Sequence, residues 1–204
     1  MEDHAKTHTL LEEADTFARS RLSKARYEHT LRVADTAEDL ALAHDLDPDR
    51  ARLAALLHDA ARETGPEEFL KLADRWHLQV GDLERQSPKL LHGPVAAELA
   101  RRELGIDDGE VLGAIRAHTT GRPGMGPLAL VLYVADKIEP ARDYPSVGRL
   151  RRLAREDLHG AAEEALRRAI ARNEVRGKDT HPASIKTLDR LEADRTAQPR
   201  IEQE

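Results

Sequence analysis

The sequence predicts an all-α fold, one helical domain with its functional site in the core, and three observations predict it. Aromatic residues are only 3% of a chain whose hydrophobic fraction is 40%, so Leu, Ala and Val must fill the interior, a palette that favours helices over strands. Apolar residues recur at steps of three and four along most of the chain. Asp-Pro and Gly-Pro steps punctuate those periodic stretches where helices start and stop. With 204 residues the chain can bury one good-sized core, and nothing in it suggests a second. The expected division is an N-terminal helix over 1–24 packing on a domain of 25–195, with 196–204 a flexible tail.

Each element follows from its residues. Leu10, Leu11, Ala14, Phe17, Ala18 and Leu22 recur at helical spacing and predict an amphipathic first helix. A second runs from about Arg26 to His44, where His29, Val33, Ala37 and Leu40 share one face, so His29 points inward from the first turn. Asp47 offers a capping side chain and Pro48 a ring suited to the first helical position; the helix they open carries Leu53, Leu56, Leu57, His58 and Asp59 and stops by Gly65-Pro66. Glu67 to Trp76 reads as a short helix and His77 to Leu91 as less regular. His92-Gly93-Pro94 opens a helix to Leu104, with Gly105 as its stop, and Asp107 or Asp108 begins another in which Val111, Ile115 and His118 share a face. Thr119 to Pro127 is a turn-rich loop, Leu128 to Ile138 an apolar helix closed by Pro140, and Arg149 to Arg176 a charged helical stretch broken at Gly160. Gly177 to Pro182 is a loop and Ala183 to Asp194 a last helix.

The net charge of -6, from 32 basic and 38 acidic residues, is interspersed, which argues against a dedicated nucleic-acid or anionic-membrane surface. The arginine clusters at Arg149–Arg155 and Arg167–Arg176 alternate with acids and read as solvated faces. There is no cysteine, so any metal must take nitrogen and oxygen ligands. Met1 to Leu11 has no apolar leader-like run, and no stretch approaches the ~20 apolar residues of a membrane span; the expected location is the cytoplasm.

Polar, metal-competent side chains keep falling on faces that periodicity assigns to the core. His58-Asp59 follows Leu56-Leu57, and Asp136 lies four residues after Leu132 in an otherwise apolar Leu-Val-Leu-Tyr-Val-Ala-Asp run. An unpaired buried carboxylate costs several kcal/mol or more. A single inward histidine is more often a hydrogen-bonded core residue than a ligand, and Asp136 alone could pair with an arginine. Six such positions on different helices (His29, His58-Asp59, His92, His118 and Asp136) point instead to a shared cation.

Arg26-Tyr27-Glu28-His29, Leu56-Leu57-His58-Asp59, His92-Gly93-Pro94-Val95, the stretch Ala114 to Met125 with His118-Thr119-Thr120-Gly121-Arg122-Pro123-Gly124, and Tyr133 to Arg142 with Ala135-Asp136 together resemble the HD superfamily of metal phosphohydrolases, and within it the YqeK family. The resemblance covers about Arg26 to Leu191. It implies a single HD-domain helical bundle and symmetrical hydrolysis of diadenosine tetraphosphate to two ADP. It also implies a metal, iron first and manganese or another divalent ion next, held by His29, His58, Asp59 and Asp136. His92 and His118 would face the same cavity, toward substrate phosphate or a second metal. Arg26, Thr119, Arg142 and the loop at His181 would lie near the nucleotide. Where such proteins commonly carry Lys three residues after His-Asp, this chain has Arg62, which keeps the charge but replaces a point with a planar fork.

That chemistry suits the residues. Splitting a phosphoanhydride needs a nucleophile at neutral pH and positive charge facing the oxygens. The expectation is attack of an activated water on an inner phosphorus, with Asp59 or Asp136 orienting it and taking its proton. Arg62, His118 and Arg142 would neutralise the phosphates, and the Gly121–Gly126 turn would let backbone approach the ligand. The partners implied are a small dinucleotide and its ADP product, with no membrane or nucleic acid; a homodimer is left open. Two alternatives stand beside this reading. One is an HD hydrolase of other nucleotides, such as nucleoside monophosphates, deoxynucleotides or guanosine alarmones; the other is a non-catalytic nucleotide-binding module.

Overall fold

The computed structural model describes residues 2–197, with side chains from residue 7 onward; most of the expected tail, 198–204, lies outside the described residues. In chain order the helices are α1 (Glu2–Arg21), α2 (Lys24–Ala43), α3 (Pro48–Leu57), α4 (Pro66–Arg75), α5 (Asp82–Gln86), a 3-10 turn (Pro88–Leu91), α6 (His92–Glu103), α7 (Gly109–Ala117), α8 (Pro127–Ile138), α9 (Val147–Glu156), α10 (Leu158–Val175) and α11 (Pro182–Ala197). No strand occurs among the described residues, and none of their helices is long and apolar enough to cross a membrane.

The centre of the bundle is α8. Leu128 through Asp136 are all buried, because α2, α3, α7 and α10 pack around this helix from different sides. On α2, the inward face of His29, Val33, Ala37 and Leu40 is buried as its spacing requires. On α1, Ala14 and Ala18 are fully buried, and Leu22, just beyond its end, is nearly so; α1 packs on α3 and α2.

Local chemistry sets the ends. Asp47 accepts from the Asp49 and Arg50 backbone N–H groups and Pro48 follows it, so α3 starts there. Asp108, rather than Asp107, caps α7 through the Glu110 and Val111 N–H groups. Its carboxylate also receives a two-pronged bond from Arg50, at 2.7 and 2.8 Å, which ties the starts of α3 and α7 together.

Two boundaries differ from the sequence reading. The charged stretch breaks at Asp157, not Gly160: Asp157 caps α10 by accepting from the Gly160 N–H. A Cβ at residue 160 would collide with that carboxylate, so the glycine is there to admit the cap rather than to break the helix. Regular α3 also ends at Leu57, and the chain continues in tight turns in which Ala60, Arg62 and Thr64 each bond the carbonyl three residues back. His58 and Asp59 occupy these turns. The region expected to be less regular contains the five-residue α5 and the 3-10 turn that leads into His92.

Candidate metal and phosphate site

Helix ends supply most of the site. His58 follows the last residue of α3, His118 the last of α7, and His92 opens α6 directly after the 3-10 turn. In each, ring Nδ1 lies against the carbonyl three residues back, at 2.6 Å for Ala55, 2.6 Å for Lys89 and 2.7 Å for Ile115. A carbonyl can only accept, so Nδ1 carries a proton in all three, and in the neutral ring Nε2 is then the nitrogen with a free lone pair. His29 reaches the same state differently: its Nδ1 lies 3.1 Å from Oε1 of Glu139, which must accept from it.

These lone pairs converge with two carboxylates. His29 Nε2 lies 3.2 Å from Asp136 Oδ1 without forming a hydrogen bond. His58 Nε2 is 3.5 Å from Asp59 Oδ2 and likewise has no hydrogen-bond partner. The other Asp59 oxygen faces His92 Nε2 at 3.4 Å and His118 Nε2 at 3.7 Å. The four imidazoles form a chain, with ring centroids 5.7 Å apart from His29 to His58, 4.9 Å from His58 to His118 and 4.8 Å from His118 to His92. All six residues are buried, none more than 8% exposed.

An assembly of acceptors facing acceptors in the interior repels itself unless a cation lies among them. Ligand atoms of His29, His58 and Asp136 lie within 4.8 Å of one another, and so do those of His58, Asp59 and His118. The residues present therefore fit a divalent metal, with His58 common to both groups. Protonation agrees. Burial, reinforced by His118, lowers His58 to about 4, and burial also holds His92 well below the usual imidazole range. Burial opposes ionisation of Asp59 and Asp136, but for Asp59 the neighbouring His58, His118 and His92 outweigh it, and for Asp136 Lys137, His29, His58 and Arg142 do. Both acids are held well below the carboxylate range. Neutral imidazoles and ionised carboxylates are the forms that bind metal.

Cations ring this centre. Arg26 donates to Asp59 Oδ2 at 3.1 Å, Lys137 to Asp136 Oδ2 at 2.5 Å and Arg142 to Asp136 Oδ1 at 2.8 Å. Arg62 Nη1 sits 3.2 Å from His92 Nδ1 and 3.4 Å from its Nε2, while its Nε is buried without a partner. The Thr119 hydroxyl lies 3.0 Å from His92 Nε2 and 3.1 Å from His118 Nε2.

His181 is not brought to this cluster. Its Nδ1 accepts from the Ala183 N–H and its Nε2 bonds Glu84 at 2.7 Å, so it clasps the start of α11 to α5. The Gly121–Gly126 turn is tied to α11, with Ser184 donating to the Thr120 carbonyl and Thr187 packed against Gly121. Sequence reasoning missed Glu139, which is 2% exposed. Besides His29 it receives Arg32 Nε at 2.8 Å and the Ala141 N–H at 2.7 Å. Its signal was present: it lies three residues after Asp136, directly beyond the end of the apolar helix α8.

Fold and centre together define a class of protein. The HD domain family model matches residues 26–141, and the chain belongs to that family. Among relatives, it is 39% identical over 170 residues to the symmetrical bis(5'-nucleosyl)-tetraphosphatase of Halalkalibacterium halodurans, covering 83% of this chain and 90% of that one. It is 40% identical over 159 residues to the protein of the same name from Bacillus subtilis, covering 78% and 85%. A crystal structure from Clostridium acetobutylicum, described as a predicted HD superfamily hydrolase involved in NAD metabolism, superposes with a TM-score of 0.86 at 35% identity, over 90% of this chain and 97% of that one.

Proposed function

We propose that this chain is a divalent-metal-dependent phosphohydrolase that cleaves diadenosine tetraphosphate at the middle of its phosphate bridge, releasing two ADP. The observation that carries the metal dependence is the buried set of bare acceptors, above all His29 Nε2 and His58 Nε2, which have no hydrogen-bond partner. The substrate follows from the relatives, whose names specify symmetrical tetraphosphatase activity over most of the chain.

His29, His58, Asp59 and Asp136 would hold the metal, with His92 and His118 able to join a second ion or to meet phosphate. Iron is our first choice, on the family resemblance, and manganese the next; the nitrogen and oxygen donors suit both. When bound, such an ion supplies Lewis acidity and makes water acidic enough to be a nucleophile at neutral pH.

The chain's own residues do the remaining work. Asp59 spans the centre, one oxygen toward His29 and His58 and the other toward His92 and His118, and so orients what lies between the two halves. Asp59 or Asp136 would orient the attacking water and take its proton, with the Nε2 atoms of His92 and His118, 2.9 Å apart, facing the phosphate. Arg26, Arg62, Lys137 and Arg142 neutralise the bridge oxygens as charge builds there, and Thr119 donates a hydrogen bond to a phosphate.

Replacing Asp59 with Ala tests this. Turnover and metal content should vanish together while the far-ultraviolet circular dichroism stays helical. An active, metal-free variant would end the proposal.

A further inference from the structure

The last turn of α8 lacks the backbone donors that a continuing helix would supply. Pro140 has no N–H to return to the Asp136 carbonyl, and Glu139 before it leaves the helix in an extended conformation, at ψ 153°. The Ala141 N–H goes to the Glu139 carboxylate and the Arg142 N–H to the Glu139 carbonyl. Side chains fill the gap. Arg142 Nε donates to the Asp136 carbonyl and the Tyr144 hydroxyl to that of Lys137, each at 2.9 Å.

Arg151, on α9, takes the rest. Its Nε donates to the Ile138 carbonyl at 2.8 Å, and its Nη2 to the carbonyls of Glu139, Arg142 and Pro140 at 3.0, 3.0 and 3.3 Å. Its neighbours on α9 behave as ordinary surface cations: Arg149 meets Glu164, and Arg155 meets Asp39. A guanidinium edge set against four backbone carbonyls fixes the path of a chain segment, here 138–142, and its charge suits the negative end of a helix.

That segment carries two side chains of the site. Glu139 accepts from the His29 Nδ1–H, and Arg142 donates to Asp136 Oδ1 at 2.8 Å. We infer that Arg151 is a positioning residue for the metal centre. Acting through the backbone, it sets the aim of Glu139 and Arg142, and through them the orientation of His29 and Asp136. This role rests on the proposed metal centre.

The test compares full-length Arg151→Ala with Leu150→Val, which removes packing from a buried neighbour on α9 and keeps every Arg151 donor. Both should melt earlier than wild type in the metal-free state. In manganese titrations against a competing chelator, Arg151→Ala should bind about tenfold more weakly, the low end of the range for groups that orient ligands. Leu150→Val should stay within twofold of wild type. Millimolar guanidinium should restore part of the loss in Arg151→Ala, and sodium chloride at equal ionic strength should not. Arg151→Lys keeps the charge at the helix end but gathers its donors at one point, so it should lose affinity in the same direction by a smaller factor. In metal-free protein, heteronuclear NMR should show the Arg142 Nε–H exchanging with water severalfold faster in Arg151→Ala. Wild-type affinity and exchange in Arg151→Ala, or an equal loss in Leu150→Val, would overturn the inference. A wild-type protein that bound no manganese would instead overturn the metal reading, and the Arg142 exchange would still judge Arg151.

Discussion

Glu139 offers a quantitative handle on the metal centre, because one buried carboxylate both orients a ligand and packs the core. In Glu139→Ala, the His29 Nδ1–H, the Arg32 guanidinium and the Ala141 N–H all lose their acceptor. Breaking a fully buried charge pair costs about 3–5 kcal/mol. The Arg32 side chain is 35% exposed, so water recovers part of that and the loss should be roughly 2–3 kcal/mol. For a chain of this size that lowers the melting temperature by roughly 5–10 °C, and calorimetry on the metal-free protein reads it without any contribution from the ion. The second effect is on binding: freed from its carboxylate, His29 can turn or change tautomer, and affinity should fall about 10–100-fold in a competition titration against a chelator of known strength. Glu139→Gln keeps one carbonyl oxygen for His29 and should lose less on both counts. If Glu139→Ala melts early yet binds metal like wild type, the carboxylate orients nothing and the account of His29 is wrong.

Three further outcomes are expected. Gly93→Ala places a Cβ 3.0 Å from the Ile115 carbonyl and 3.1 Å from that of Arg116, both backbone; α6 must draw back from α7 at a cost of about 1–3 kcal/mol, and kcat should fall as His92 parts from His118, whereas unchanged urea denaturation would refute the close approach. Stripping the metal with a chelator should lower the melting temperature of the loaded protein by roughly 8–16 °C when free metal had stood at a thousand times Kd, a linkage of about 4 kcal/mol; no shift would mean no ion bound to the folded state. Glu98 has its carboxyl held below the usual range because, against burial, Arg101, Arg116 and Arg102 bond it; its folded pKa is depressed, so its stabilisation is complete above the unfolded value of about 4.3 and is lost as pH falls below it. Glu98→Gln should therefore flatten the fall in melting temperature over that range, and an unchanged slope would contradict the assignment.

What could be read from the sequence tracks how local its cause is. Helix faces needed only spacing: His29 with Val33, Ala37 and Leu40 is buried on α2 because a 3.6-residue period puts them together. Caps at Asp47 and Asp108 were legible because the bond partner lies two or three residues away. The break at Asp157 was misplaced because Gly160 looked like a helix breaker, when its role is to leave room for a carboxylate. That His29, His58, Asp59, His92, His118 and Asp136 meet at one point was inferable only jointly, from polar groups recurring on apolar faces. Glu139 escaped because its partners, His29 and Arg32, lie more than a hundred residues away. The engagement of His181 by Glu84 joins α5 to α11, a pairing no periodicity records. For the α10 arginines, sequence alternation counts charges but does not say which are paired: Arg167 meets Glu163 and Glu192, while Arg168 lies over the Tyr144 ring.

The most direct test is to load the purified protein with iron or manganese, give it diadenosine tetraphosphate and identify the nucleotides released. The account predicts ADP as the only product, two molecules for each substrate consumed, in proportion to metal content. AMP together with ATP, or a metal-loaded protein that leaves the dinucleotide intact, would contradict it.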